Sequence, residues 1–434
     1  MSKLAINGGD KVRKLPFPAY KPLGEEEVEA VSEVVKSGIL SRFLGAWHED
    51  FYGGPNVKSL ESEWKNYFGV RNAVSVNSAS SGLIAALGAV GVGPGDEVIV
   101  TPYSMCISAT APLFYGAVPV FADIEPDLFC LDSDSVEEKI TEKTKAIIVV
   151  DLFGQPYDVK KINNLAKKHN LVIIEDASQA PQAKFDGKYA GTLGDIGVYS
   201  FNYHKHIHCG EGGMVVTNND GWAERLRLIR NHAEAAVAGR EDLSDLSNMV
   251  GFNMRLGEME AAIVRIQLKK LNQLVKDRIK NVEYIKQGLE KIDFIQSAKT
   301  REGATHSYYL HVFTYNQEKA DGVNRNSFVD AVKAELTYTE NREAEGVKVS
   351  SGYVRPLNQL PIFQNKIAFG NKGYPFSFSP EVDYSKGICP VVELCHEKTL
   401  FFHDLMHPNM TKQDLDDVIL AFQKVSDNIS ELKN

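Results

Sequence analysis

Apolar residues recur along the chain at two spacings, and these sort it into helices and strands. From Glu25 onward Val28, Val31, Val34 and Val35 repeat at helical intervals and Gly38 follows as a stop, which predicts a first helix with a valine face. A glycine-rich loop, Gly45 to Pro55, separates it from a second amphipathic helix marked by Val57, Leu60, Trp64 and Phe68. Short apolar runs then alternate with helical stretches. NAVSV precedes SSGLIAALGAVGV, DEVIVTP follows the turn GPGD, and AVPVFAD, KAIIVVDLFG and LVIIEDAS are each closed by polar turns. This alternation predicts an α/β fold, a mostly parallel sheet covered by helices on both faces, with ligands held beyond the carboxyl ends of its strands.

The rhythm changes at Met254, from which one long helical region is expected to Ile292. A smaller α+β domain follows. It contains the strand SYYLHVFTY and ends in a helix whose Thr411 and Asp414 form a capping-box variant. The reading divides the chain into an N-terminal arm (1–23), a large domain (24–265) and a smaller C-terminal domain (266–434).

Composition narrows the partners. Across 434 residues the net charge is −9, which offers no basic footprint for nucleic acid or an anionic membrane and favours small molecules. Five cysteines are scattered without a CxxC pair, and no run approaches the roughly 18 apolar residues of a membrane span. A cytoplasmic location with reduced thiols is expected.

The chemistry gathers at strand ends. LVIIEDASQA sets Asp176 and Gln179 just past one strand, and GDIGVYSFNYHKHIHCGEGG sets Ser200 and Lys205 past another. VNSASSGL begins a helix, whose free amides and positive dipole end can hold a phosphate. A lysine, a carboxylate and a phosphate cradle suit pyridoxal 5′-phosphate: the amine forms a Schiff base, the carboxylate keeps the pyridine nitrogen protonated, and the amides anchor the phosphate. A rival reading stands beside it. His204, His206 and His208 alternate, so on an extended segment they could converge with Cys209 on a metal ion, against histidines that line a pocket or make structural hydrogen bonds. Histidines that line a pocket are favoured, with no metal bound.

GVGPGDEVIV, DLFGQPYDV, IIEDASQA, GTLGDIGVYSF, the lysine five residues before GEGG, and GFNMRLGEMEAAI resemble, in this order, motifs of the DegT family of sugar aminotransferases, enzymes of pyridoxal-phosphate fold type I. The resemblance implies that Lys205 is the catalytic Schiff-base lysine, that Asp176 pairs with the pyridine nitrogen, and that Gln179 lies near the phenolic oxygen. It places Ala79, Ser80 and Ser200 at the phosphate. Asn253 would reach the phosphate of a neighbouring subunit, which requires a homodimer with shared active sites. An aromatic residue commonly covers the cofactor ring in this family; Cys106 stands at its place here, leaving Tyr103 as a substitute or a different cover. A dehydratase branch carries histidine where Lys205 stands, so the lysine favours amine transfer.

The resemblance also implies substrates. L-glutamate would donate the amine. LAINGGDKVR resembles a branch acting on cyclitols, whereas NYHKHIHCGEGG is similar to transaminases forming 8-amino-3,8-dideoxy-D-manno-octulosonate for lipopolysaccharide. The octulosonate is the favoured acceptor product, with a nucleotide-linked keto sugar or a cyclitol ketone as alternatives. His204, His206 and Arg355 are the expected substrate contacts, Arg355 for an anionic group.

Overall fold

A computed structural model describes residues 3–238, 240, 243 and 245–433. Seven strands form the central sheet, in the spatial order Asn72–Val76, Gly213–Thr217, Ile196–Ser200, Val172–Asp176, Thr144–Val150, Glu97–Val100, Val118–Phe121. Only Gly213–Thr217 runs antiparallel to its neighbours. The other pairings obey the parallel expectation, and the strands read as continuous apolar runs because helices cover both faces.

The first helix spans Glu25–Ser37 and ends at Gly38, whose φ of 70° is the left-handed stop expected from the sequence. Its valine face is not as expected. Val34 is buried, but Val28 and Val35 are 58% and 56% exposed. An ion pair sets the inner face instead: buried Glu27 binds the Lys270 Nζ at 2.8 Å and also accepts the Gly24 amide at 2.8 Å. The second helix, Pro55–Phe68, buries all four predicted apolar residues.

The long helix begins at Glu258 rather than Met254 and runs to Leu289. Met254 is pinned outside it, because its amide donates to the Arg230 carbonyl at 2.9 Å and its carbonyl accepts the Asn77 amide at 2.9 Å. The Glu258 carboxylate meanwhile caps the second helix, accepting the amides of Asn56 (2.7 Å) and Val57 (3.1 Å).

A four-stranded antiparallel sheet follows, ordered Ile295–Ser297, His311–Tyr315, Leu400–His403, Val349–Ser351. The strand expected over SYYLHVFTY starts only at His311, because Tyr308 holds a φ of +52° that no strand continues. Phe313 and Phe401 stack at 4.9 Å in a core shared with Phe328 and Phe422. Leu4 and Phe17 of the arm are fully buried in the same core. Thr411 and Asp414 make the predicted reciprocal cap.

Candidate active site

Three parallel-sheet features converge on one cavity of about 690 Å³. The strand Val172–Asp176 ends in Asp176, the strand Ile196–Ser200 leads into Lys205, and the helix Ala79–Ala89 starts at the cavity wall. Ser78 caps that helix by accepting the Ser81 amide at 3.0 Å, while the amides of Ala79 and Ser80, in its first turn, have no intrahelical acceptor. Gly213 lets the antiparallel strand press against this helix start: a Cβ there would lie 2.8 Å from the Ala79 nitrogen.

Lys205 hangs from a loop tied at both ends. The Phe201 amide donates to the Gly212 carbonyl at 2.9 Å, the Tyr203 amide to Gly210 at 3.0 Å, and Gly210 supplies a φ of +92°. The lysine is 8% exposed and its Nζ lies 4.2 Å from the centre of the Tyr309 ring. Burial pushes its amine down to about 8, opposed by the charge of Asp176. Burial likewise pushes the Asp176 carboxyl up, opposed by hydrogen bonds from Ser178 and by the charge of Lys205. Each residue thus favours the charged form of the other.

Gln179 is buried behind them. Its Oε1 accepts the Phe153 amide at 2.8 Å and its Nε2 donates to the Tyr353 hydroxyl at 3.2 Å. Ser200 and Cys106 also line the cavity. Tyr103 does not: it is fully buried, and its hydroxyl accepts the Tyr353 amide at 2.7 Å. Tyr103 is therefore no substitute for the missing ring cover.

The histidine cluster comes apart in three dimensions. The segment is a turn rather than a strand, so alternate residues do not share a face. His204 lines the cavity with Nδ1 2.8 Å from Arg342 Nη2. His206 is 1% exposed, faces away from the cavity and places Nε2 2.9 Å from the Ser307 carbonyl. His208 returns to the cavity wall. No group of three His, Cys, Asp or Glu among the described residues could hold a metal ion, so the metal reading fails.

One further expectation shifts: Arg355 is exposed and outside the cavity lining. Asn253, expected to act in a neighbouring subunit, is exposed on this chain, with its Oδ1 accepting from Arg255 Nε at 2.8 Å. Sequence reasoning missed Tyr20, Arg278, Tyr309, Arg342 and Tyr353, which all line the cavity, as does His407. One signal for Arg278 was present. It occupies the apolar stripe Leu271, Val275, Val282, Ile285 of the long helix, where a charge needs a reason.

The arrangement fits pyridoxal 5′-phosphate: a buried lysine, a buried carboxylate coupled to its charge, and unpartnered helix-start amides beside a glycine that keeps the approach open. The profile of the DegT/DnrJ/EryC1/StrS aminotransferase family matches residues 22–423. The spore coat polysaccharide biosynthesis protein SpsC of Bacillus subtilis is 28% identical over 94% of this chain and 97% of its own length. The L-glutamine:2-deoxy-scyllo-inosose aminotransferase of Streptomyces kanamyceticus is 30% identical over 98% of this chain and 97% of its own. Among solved structures, S. venezuelae DesV in complex with a ketimine intermediate superposes with a TM-score of 0.77 at 27% identity, covering 95% of this chain and 99% of that one.

Proposed function

Because the chain belongs to the DegT/DnrJ/EryC1/StrS aminotransferase family, we propose that it moves an amino group from L-glutamate to 8-keto-3-deoxy-D-manno-octulosonate, giving 8-amino-3,8-dideoxy-D-manno-octulosonate for lipopolysaccharide. The protein is a pyridoxal-phosphate-dependent aminotransferase of fold type I, acting on a small amino donor and a sugar or cyclitol ketone. One observation carries the reaction type: a buried lysine with its amine pushed down to about 8, facing a buried aspartate. The choice of acceptor rests on the resemblance of NYHKHIHCGEGG and on a cavity of about 690 Å³, room for an eight-carbon sugar acid.

When bound, the cofactor supplies an electron sink for the carbon that loses its proton. In this reading Ala79, Ser80 and Ser200 anchor the phosphate and Asp176 presents its negative charge to the ring nitrogen. Lys205 would hold the cofactor through Nζ and, as a free amine, would take and return a proton at that atom. An amine titrating near 8 is free often enough at neutral pH to act as the base and is basic enough to keep the proton. Gln179 holds the Phe153 amide and the Tyr353 hydroxyl, fixing the far wall. Asn253 is exposed on this chain, and in this reading it would reach the phosphate of a second copy in a homodimer with shared sites.

The test compares 8-keto octulosonate with nucleotide-linked keto sugars and with a cyclitol ketone, each with glutamate or glutamine. Turnover of the octulosonate with parallel initial-rate lines is expected. Turnover confined to nucleotide-linked sugars sinks the octulosonate. The relative from Streptomyces kanamyceticus and the LAINGGDKVR start favour a second reading, a cyclitol ketone aminated from glutamine, and preference for that pair would establish it.

A further inference from the structure

Four lysine and arginine side chains line the cavity: Lys205, Arg278, Arg342 and Lys348. Arg342 is held by Asp404 at 3.0 Å and by Glu345 at 2.8 Å, and Lys348 is held by the same Glu345. Lys205 has its cofactor role. Arg278 is left, 6% exposed, with no carboxylate among the described residues within ion-pair distance. Its partners are neutral. Nη1 donates to the carbonyls of Tyr308 (3.2 Å) and Tyr309 (3.4 Å), and the guanidinium lies 5.5 Å from the centre of the Tyr20 ring. The one carboxylate whose charge acts on it, Asp404, is already bound to Arg342.

A buried guanidinium without a counter-charge is costly, and its fork is built to take a planar anion in two hydrogen bonds. Here Arg278 lines the same cavity as the Tyr20 phenol and His407, whose ring burial keeps neutral. Its position relative to the reacting end is also defined. Tyr309 stands between the two cations, with its ring at the Lys205 amine and its carbonyl on Arg278. An anion held at Arg278 is therefore separated by a residue's width from the carbon that receives the amine.

We propose that Arg278 is the specificity-determining residue for the acceptor, binding the carboxylate of a keto sugar acid whose carbonyl lies several carbons away from that carboxylate. The inference rests on the sugar-acid reading above. It selects against neutral cyclitols, which leave the guanidinium uncompensated.

The test uses cofactor-loaded enzyme and 3-deoxy-D-manno-octulosonate, which has a hydroxyl where the acceptor has its carbonyl, together with its C1 amide. Titration calorimetry of wild type is expected to show the acid bound at least tenfold more tightly than the amide. Arg278→Gln binds both alike, and Arg278→Lys, a charge without the fork, keeps a reduced preference. The visible cofactor band and thermal midpoint verify that each variant is loaded and folded. General damage weakens both ligands together and leaves their ratio intact, so an intact ratio in both variants overturns the role of Arg278, even with 8-keto octulosonate turned over by wild type. A wild type that neither prefers the acid nor turns over the 8-keto acid overturns the sugar-acid reading itself.

Discussion

The Lys205 amine sits 4.2 Å from the centre of the Tyr309 ring, so an aromatic face joins the charge of Asp176 in stabilising its ammonium form. A ring face favours the ammonium form by about 2 kcal/mol when water is excluded. Since roughly 1.4 kcal/mol corresponds to one pKa unit, replacing Tyr309 by leucine lowers the lysine's titration point by about 1.5 units. The neutral amine is what combines with the cofactor aldehyde, so the rate of cofactor capture by apoenzyme reports that point. In wild type the rate rises through about pH 8; in Tyr309→Leu the rise moves to lower pH. An unmoved profile would show that the ring does not hold the charge.

Removing the amine altogether is more severe. Lys205→Ala is expected to lower turnover by roughly 100- to 10,000-fold, the contribution of a positioned proton-transfer group. Stopped-flow absorbance after glutamate addition checks it, and conversion at wild-type rate would remove Lys205 from the mechanism.

Asp176→Asn keeps size and removes charge. A fixed charge at a reacting centre contributes about 100- to 1,000-fold, so kcat falls by that order while the cofactor still binds. Equal kcat in the variant would assign Asp176 a purely structural place.

Gly213→Ala tests the cradle. The new Cβ would stand 2.8 Å from the Ala79 nitrogen and 2.9 Å from the Tyr199 carbonyl oxygen, both backbone atoms, so the helix start must move. Cofactor affinity drops at least about tenfold, equivalent to ~1.4 kcal/mol, as read by fluorescence titration; wild-type affinity would mean the helix start does not hold the phosphate.

Acid stability follows from buried histidines. Burial pushes His403 down to about 4, His407 to about 4 and His306 to about 3. The unfolded chain therefore takes up these protons first, from about pH 6.5 downward. Their stabilisation is complete above about pH 6.5 and is lost as pH falls toward 4, amounting to several kcal/mol in total, roughly. His403 makes this concrete: its Nε2 lies 3.0 Å from His311 Nδ1 while its Nδ1 accepts the Leu405 amide at 3.2 Å, leaving no place for an extra proton. The denaturant midpoint should be lower at pH 5 than at pH 7.5, and equal midpoints contradict the account.

How much of this was legible depends on whether a residue announces itself locally. Lys205 and Asp176 did, because apolar strands and the glycines after them mark where side chains must emerge at a sheet edge. Thr411 did, since a reciprocal cap is a contact over three residues. His206 misled, because its spacing with His204 and His208 is strand-like whereas tying Phe201 to Gly212 folds the segment into a turn. Arg355 misled for another reason: an arginine near the expected sugar site says nothing about which way it faces. Tyr20 was invisible, since LPFPAY has no periodicity, and its hydroxyl finds the His206 carbonyl across 186 positions.

That arm has a consequence for the order of assembly. Leu4 and Phe17 complete a core whose other members include Val418 and Phe422, Val12 donates its amide to Glu335 at 3.2 Å, and Arg13 pairs with Asp414 and Asp417 at 2.8 Å. Residues made early on the ribosome must therefore stay unpacked until residues made some 400 positions later arrive. Because Tyr20 reaches the cavity from this same arm, the large sheet can form before the helix carrying Val418 and Phe422 is made, but the catalytic cavity closes only once that helix has packed, and activity should lag behind the appearance of sheet structure in a refolding experiment.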